Sequence, residues 1–262
     1  ELLDIMDRIG VRVDTSIGVH PESRTCLDRD GKVIHKMPRP RILSSWGRLY
    51  RSLKDAFPAG DYFFDKSLVS FSDDGASVTA TFADGATAQG DLLIGADGIR
   101  STVRAQMLPD AQPRYAGYIA WRGLVPMDKL PEHQRRLVGT NWIGPKAHVT
   151  CYPVHRGEIF NFVGQVDRTD WSAEGWFHEG SKEECHNDFP GWHPEVKMMI
   201  EGSVRLFKWG LFLREPLARW SSGRVTLLGD AAHPMVPRGS NGAGQAILDA
   251  RALSDSLAQH AD

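Results

Sequence analysis

Cysteine is scarce in this sequence: Cys26, Cys151 and Cys185 are the only three among 262 residues. Their odd number and wide spacing argue against a disulfide framework, and no histidine or cysteine cluster has the spacing of a zinc site. Such usage fits a reducing, cytoplasmic setting. Long apolar runs are missing too. No stretch reaches the roughly 18 apolar residues that a membrane span needs, so contact with a bilayer is not expected. The opening Glu1-Leu-Leu-Asp-Ile-Met-Asp7 lacks the basic start of a signal peptide. Excess charge of one sign is also absent. The 31 Lys and Arg residues against 33 Asp and Glu give a net charge of −2, which leaves no basic footprint for nucleic acid. Finally, Gly-x-Gly-x-x-Gly, the strand-to-helix turn that seats a dinucleotide pyrophosphate, does not occur.

What remains is a 262-residue chain, 41% hydrophobic, long enough for one or two packed domains. Its most informative stretch begins at Arg224. Val225, Thr226, Leu227 and Leu228 predict a buried strand that ends in Gly229-Asp230. A carboxylate is thereby placed past a strand's carboxyl end, where open α/β sheets bind ligands. A loop with Pro234, Pro237, Gly239, Gly242 and Gly244 follows. Ala246, Ala250, Leu253 and Leu257 then recur at i, i+4, i+7 and i+11, one face of a helix. The N-terminus of that helix offers N–H groups and a positive dipole end to an anion. Upstream, Asp91-Leu-Leu-Ile-Gly-Ala-Asp-Gly-Ile-Arg-Ser-Thr-Val-Arg104 repeats the theme: a strand, then Asp97-Gly98, then a basic helix start. One acid at a strand end is commonly just a helix cap. Two of them, each beside glycine, favour cofactor contact.

Both segments resemble the two internal signatures of the single-component flavin-dependent aromatic hydroxylases, the family of p-hydroxybenzoate and salicylate hydroxylases. So do Tyr115-Ala-Gly-Tyr-Ile-Ala-Trp-Arg-Gly-Leu-Val125 and Phe207-Lys-Trp-Gly-Leu-Phe-Leu-Arg-Glu-Pro-Leu217. The likeness covers nearly the whole chain and is nearest the salicylate and hydroxypyridine hydroxylase branches. It implies that Asp97 and Gly98 serve FAD and NAD(P)H, that Gly229 and Asp230 hold the FAD ribitol, and that Gly239, Ser240, Asn241, Gly242 and Ala243 meet the flavin's pyrimidine edge. Leu68 matches a residue whose backbone touches the adenine, although a plain core leucine explains it equally well. Pro237 matches a proline whose carbonyl faces the substrate. An arginine that helps to hold FAD in relatives is replaced here by Trp46, so that role is not transferred. His233 is expected to pack and hydrogen-bond rather than act as a base.

The implied fold is α/β: an incomplete, Rossmann-like FAD-binding domain with an inserted antiparallel β-sheet substrate domain. Residues 1–112 and 218–262 are expected to form the FAD-binding part, and 113–217, where aromatics thicken, the insertion. Tyr62–Phe71, Ser77–Phe82 and Thr87–Ile94, joined by Asp-Gly turns, predict a β-meander. In the insertion His148, Tyr152 and His155 lie on or beside a predicted strand and could take a phenolic proton. Arg122 and Arg214 could pair with a substrate carboxylate. Trp171, Trp176 and Trp192 read as core.

The activity implied is NADH- or NADPH-dependent monooxygenation of a small aromatic or heteroaromatic ring by molecular oxygen, through a flavin C4a-hydroperoxide. Phenolic acids and hydroxypyridines are the substrate types, and a homo-oligomer is compatible with the sequence. Two other readings stand beside it: a non-catalytic piece of such a flavoprotein, and a related flavoenzyme with other chemistry such as epoxidation. The family's opening βαβ unit is not among these residues, so the chain reads as the interior of a longer enzyme. It should therefore bind FAD more weakly, by over about tenfold, than a chain carrying that unit, because the pyrophosphate lacks its helix N-terminus. Fluorescence titration of the 262-residue chain with FAD checks this, and tight stoichiometric binding would contradict it.

Overall fold

A computed structural model describes residues 2–38, 42–109, 112–171 and 178–260. In chain order these form α1 (Leu2–Arg8), β1 (Ser23–Asp28), β2 (Val33–Met37), α2 (Trp46–Asp55), β3 (Leu68–Asp73), β4 (Val78–Phe82), β5 (Thr87–Gly90), β6 (Leu93–Gly95) and α3 (Thr102–Met107). There follow β7 (Arg114–Pro126), β8 (Val138–Gly144), β9 (Ala147–Val154), β10 (Ile159–Asp167), β11 (His178–Gly180), α4 (Lys182–Asp188) and α5 (Pro194–Gly202). The chain ends in β12 (Leu206–Leu213), β13 (Ser221–Ser222), β14 (Val225–Leu227) and α6 (Gly242–Gln259).

Two compact units result. One holds α1, Phe57–Ala116 and the chain from Phe212; the other holds Ile9–Ala56 and Gly117–Leu211. Ile9–Ala56 thus joins the inserted segment, whereas the sequence grouped it with the FAD-binding part. The reason is a long-range ladder. β1 runs parallel to β8, Ser23–Asp28 against Val138–Ile143, and nothing local in the sequence announces such a pairing.

In that second unit an eight-stranded sheet runs β11-β12-β7-β10-β9-β8-β1-β2. The β7–β10, β10–β9 and β9–β8 ladders are antiparallel. Side chains alternate across the sheet. Ile119, Trp121 and Val125 of β7, Val149 and Cys151 of β9, and Phe160 and Phe162 of β10 join Val196, Met199 and Ile200 of α5 in one buried core. Trp192 belongs to it and Trp171 packs against it, as expected; Trp176 lies outside the described residues. Burial pushes the Cys151 and Cys185 thiols far above their ordinary range, so they pack as small apolar groups.

The first unit carries the β3-β4-β5 meander and a small β13-β14-β6 sheet. Thr87–Ile94 is not one meander strand. β5 stays beside β4, while β6 bends away to pair in parallel with β14, Val225 against Leu93 and Leu227 against Gly95. Val78, Val103, Val225, Leu227, Ala231 and Ala232 form the core beneath. Gln106 of α3 fastens the meander, accepting from Phe71 N at 3.0 Å and donating to Phe71 O at 2.6 Å. Within α6 the inward face is not the one expected. Ala246, Asp249 and Leu253 are half-buried, whereas Ala250 and Leu257 are exposed.

At Gly95 three elements crowd together: an added Cβ would stand 2.8 Å from Val103 Cβ and 2.9 Å from Leu227 Cδ2. Gly95→Ala should therefore cost about 1–3 kcal/mol of stability through overpacking. Gly47→Ala, in open space on α2, should cost nothing. Urea denaturation of the two variants against the parent checks the contrast.

Candidate functional site

The parallel β6–β14 pair brings the two acidic turns side by side. From β6 the chain passes through Asp97 and Gly98 to α3. Asp97 is exposed, and its Oδ2 accepts from Thr102 N at 2.7 Å and Val103 N at 3.2 Å. It therefore does cap a helix, which leaves Oδ1 outside those two bonds. Ser101 Oγ accepts from Arg104 N at 2.8 Å and completes the cap. Gly98 takes φ +78° at the turn.

From β14 the chain turns at Gly229, with φ +59° and only 3.1 Å between an added Cβ and Ala246 Cβ. Both the left-handed backbone and the close helix call for glycine. Asp230 follows. It is exposed as a residue, yet crowding of its carboxyl raises its pKa above the usual carboxylate range, against a pull downward from His233. His233 packs its ring on Trp220 at 4.8 Å between centroids and is 2.5 Å from Asp249 Oδ2 through Nε2. The expected packing role for His233 holds.

Pro237 sits at the centre of a tight three-residue turn closed by Arg238 N to Val236 O at 2.7 Å; its own carbonyl is not the acceptor. Pro237, Arg238, Gly239 and Ser240 are exposed, and Gly239 and Ser240 have φ of +87° and +58°. Asn241 stands at the N-cap of α6 without a side-chain cap bond. The amides of Gly242, Ala243 and Gly244 belong to the first turn of an 18-residue helix, where N–H groups lack intrahelical acceptors and the dipole is positive. Such a terminus suits the anionic edge of a reduced flavin, and an acidic turn beside it suits a polyol chain. FAD fits these residues at its ribitol and ring end.

Two residues that hold this frame escaped the sequence reading. Arg104 is fully buried. Its guanidinium donates to Ala231 O at 3.1 Å, Ala232 O at 2.7 Å and Glu215 O at 3.0 Å. Asp249 accepts from Gly229 N at 3.0 Å. The only sequence signal for Asp249 is its i+3 spacing from Ala246 on an otherwise apolar stripe. Leu68 is partly buried and packs against the core of this unit. Arg214 donates Nε–H to Ile99 O at 2.7 Å, a backbone-holding role in the cofactor-side unit.

The remaining candidates lie in the other unit. His148 and Tyr152 share the face of β9 opposite its buried Val149 and Cys151. Across the ladders Tyr152 faces Asn161 and His148 faces Gln165. Arg122 is exposed, opposite Val163 on the same face. Burial raises the Tyr152 pKa; Arg122 and Asn161 pull it back in part, although the Asn161 amide makes no hydrogen bond of ordinary geometry. Asn161 and Gln165 are buried amides with unpartnered atoms there. His155 falls in the turn after β9 with φ +50°. Trp46 is 68% exposed and stacks on Tyr50. Among the described residues no group of three or more His, Cys, Asp or Glu could hold a metal ion. No helix there is long and apolar enough to cross a membrane.

The β6–β14 pair thus ends in two acidic turns, and the second of them packs against a helix that opens on glycine. Residues 47–262 match the family model described as an FAD binding domain, and the chain belongs to that family. It is 36% identical over 233 residues to 3-amino-4-hydroxybenzoate 2-monooxygenase PtnB3 of Streptomyces platensis, covering 89% of this chain and 57% of that protein. To 6-hydroxynicotinate 3-monooxygenase of Bordetella bronchiseptica it is 33% identical over 267 residues, covering 97% and 70%. A solved salicylate hydroxylase substrate complex superposes with a TM-score of 0.79 at 26% identity, over 94% of this chain and 67% of that one. The chain thus spans little more than half the length of the first of these curated relatives.

Removing the Arg104 guanidinium strands three carbonyls. Arg104→Met should lower stability by about 3 kcal/mol or more, since bonds from a charged donor count for more than neutral ones. Arg104→Lys should recover little, because an ammonium cannot span three acceptors placed for a planar fork. Chemical denaturation measures both.

Proposed function

We propose that this chain is the flavin-ring and substrate-facing part of an FAD-dependent monooxygenase that hydroxylates an aromatic or heteroaromatic ring, of the phenolic acid or hydroxypyridine type. The observation that carries the reading is the pairing of Gly229-Asp230 with the α6 N-terminus in one glycine-led frame. Relatives named as hydroxybenzoate and hydroxynicotinate monooxygenases support it. When bound, FAD supplies the redox chemistry: two electrons from NADH or NADPH and one O2 convert a ring C–H to C–OH, with the second oxygen leaving as water.

The chain's own residues bind and orient. Asp230 accepts from a ribitol hydroxyl. Gly242–Gly244 N–H groups face negative charge on the flavin's pyrimidine edge. Asp97 uses the oxygen outside its helix cap. On the sheet face, the Tyr152 phenol carries its proton at neutral pH as any phenol does, burial raises its pKa further, and it acts as a hydrogen-bond donor to the substrate's ring substituent. His148 is the base available to a phenolic proton. The three free cysteines suit a reducing compartment such as the cytoplasm.

Asp230→Ala should weaken FAD binding about ten- to a hundred-fold, the loss of one hydrogen bond to a charged acceptor. Flavin fluorescence titration reads the affinity. Unchanged affinity with an intact circular-dichroism spectrum would remove Asp230 from the site. For the activity, substrate-dependent oxidation of NADH or NADPH with product analysis is decisive. Failure of every phenolic acid and hydroxypyridine tried to speed that oxidation in a flavin-loaded sample would overturn the ring-hydroxylation reading.

A further inference from the structure

Asp249 is an acid on the inward face of α6, two turns in from Gly242, with its side chain only 14% exposed. A carboxylate so placed costs free energy unless it is partnered. Its partners lie on the opposite element. Oδ2 receives the Gly229 N–H at 3.0 Å and stands 2.5 Å from His233 Nε2. The amides of Ala232 and His233 in turn both donate to Gly229 O at 2.9 Å. The turn that presents Asp230 is therefore closed on itself and tied through one oxygen to the helix whose N-terminus stands beside it. No other side-chain hydrogen bond among those described joins this turn to α6.

We propose that Asp249 is a positioning residue of the cofactor site: it sets the spacing between the Asp230 carboxylate and the first-turn amides of α6. The inference rests on the reading that these two elements hold FAD, and it adds the device that keeps them in register. Asp249 touches neither cofactor nor substrate in this account. It acts through Gly229 and His233.

The test has two arms on the 262-residue chain. The first needs no flavin: amide hydrogen exchange of the parent, Asp249→Ala and Asp249→Asn. In Asp249→Ala the Gly229 and His233 amides should exchange at least about tenfold faster, the loss expected for a bond to a charged acceptor. The Val78–Phe82 amides should not change. Asparagine keeps an acceptor oxygen and should restore most of the protection. Unchanged exchange at Gly229, or a uniform rise across the whole unit as from a general loss of stability, would overturn the proposal.

The second arm is FAD titration of Asp230→Ala, Asp249→Ala and the double variant. If Asp249 works by placing Asp230, the double variant should bind no more than about twofold more weakly than Asp230→Ala, because sites acting through one contact are not additive. Independent, multiplying losses would count against it. Should Asp230→Ala itself leave affinity untouched, the cofactor reading fails instead, and the exchange arm still decides whether Asp249 sets the register.

Discussion

The buried Arg104 guanidinium holds the cofactor-side unit together in an unusual way, because its three hydrogen-bond partners are backbone carbonyls: two in the turn after Asp230 and one at Glu215. Burial, with Arg214 nearby, lowers its pKa, yet a guanidinium stays charged throughout the physiological range. A desolvated charge is tolerable only while every one of those acceptors stays in place. The helix that carries Arg104 is fixed in turn by Asp97 and Ser101 at its start. The two acidic turns are therefore linked by hydrogen bonds through α3 and its Arg104.

The second unit achieves order by different means. Its sheet separates chemistry by face, as the two-residue period of a strand allows. The aromatic and aliphatic side chains of β7, β9 and β10 close against α5, and the opposite face gathers Arg122, His148, Tyr152, Asn161 and Gln165. The apolar face makes the fold stable enough for the polar one to carry groups that contribute little to stability. Asn161 and Gln165 illustrate the cost, since both bury amide atoms without a hydrogen-bond partner.

Much of the cofactor frame was legible in the sequence. A strand, an acid and a glycine loop each have a local signature, and β14, Gly229, Asp230 and α6 fall where that signature put them. What escaped was set by long-range geometry. β6 left the meander because its partner lies some 130 positions along the chain (Leu93 against Val225). Ile9–Ala56 joined the other unit through the β1–β8 ladder. The reach of Arg104 depends on where β14 ends in space, and its sequence neighbourhood reads as an ordinary basic helix start. Asp249 was hidden by the assumption that an inward stripe is apolar; successive residues on a helix stand about 100° apart, so a face that takes in Asp249 leaves its neighbour Ala250 outward. For the site residues themselves, backbone amides do much of the proposed binding, so composition at Gly242–Gly244 says little beyond permitting close approach.

Asp230 shows how such a frame is tuned. Crowding raises its pKa above the unfolded value, and the sign of the consequence follows from linkage. The ionised carboxylate is the penalised form, so the stability cost is absent below the unfolded pKa and fully present above the folded one. Wherever that carboxyl is ionised, the turn carries a charge that the fold alone does not satisfy. A hydroxyl donor arriving at that oxygen relieves the penalty and lowers the pKa toward its ordinary value, so binding and ionisation reinforce each other. The same donor should be held less firmly as pH falls through the folded pKa, because the protonated acid is a weaker acceptor. His233 opposes the crowding and draws that pKa partly back, and its ring is held in turn by Asp249 Oδ2. Asp249, by contrast, already accepts from Gly229 N and holds the His233 ring, so the inner acid is satisfied by the fold.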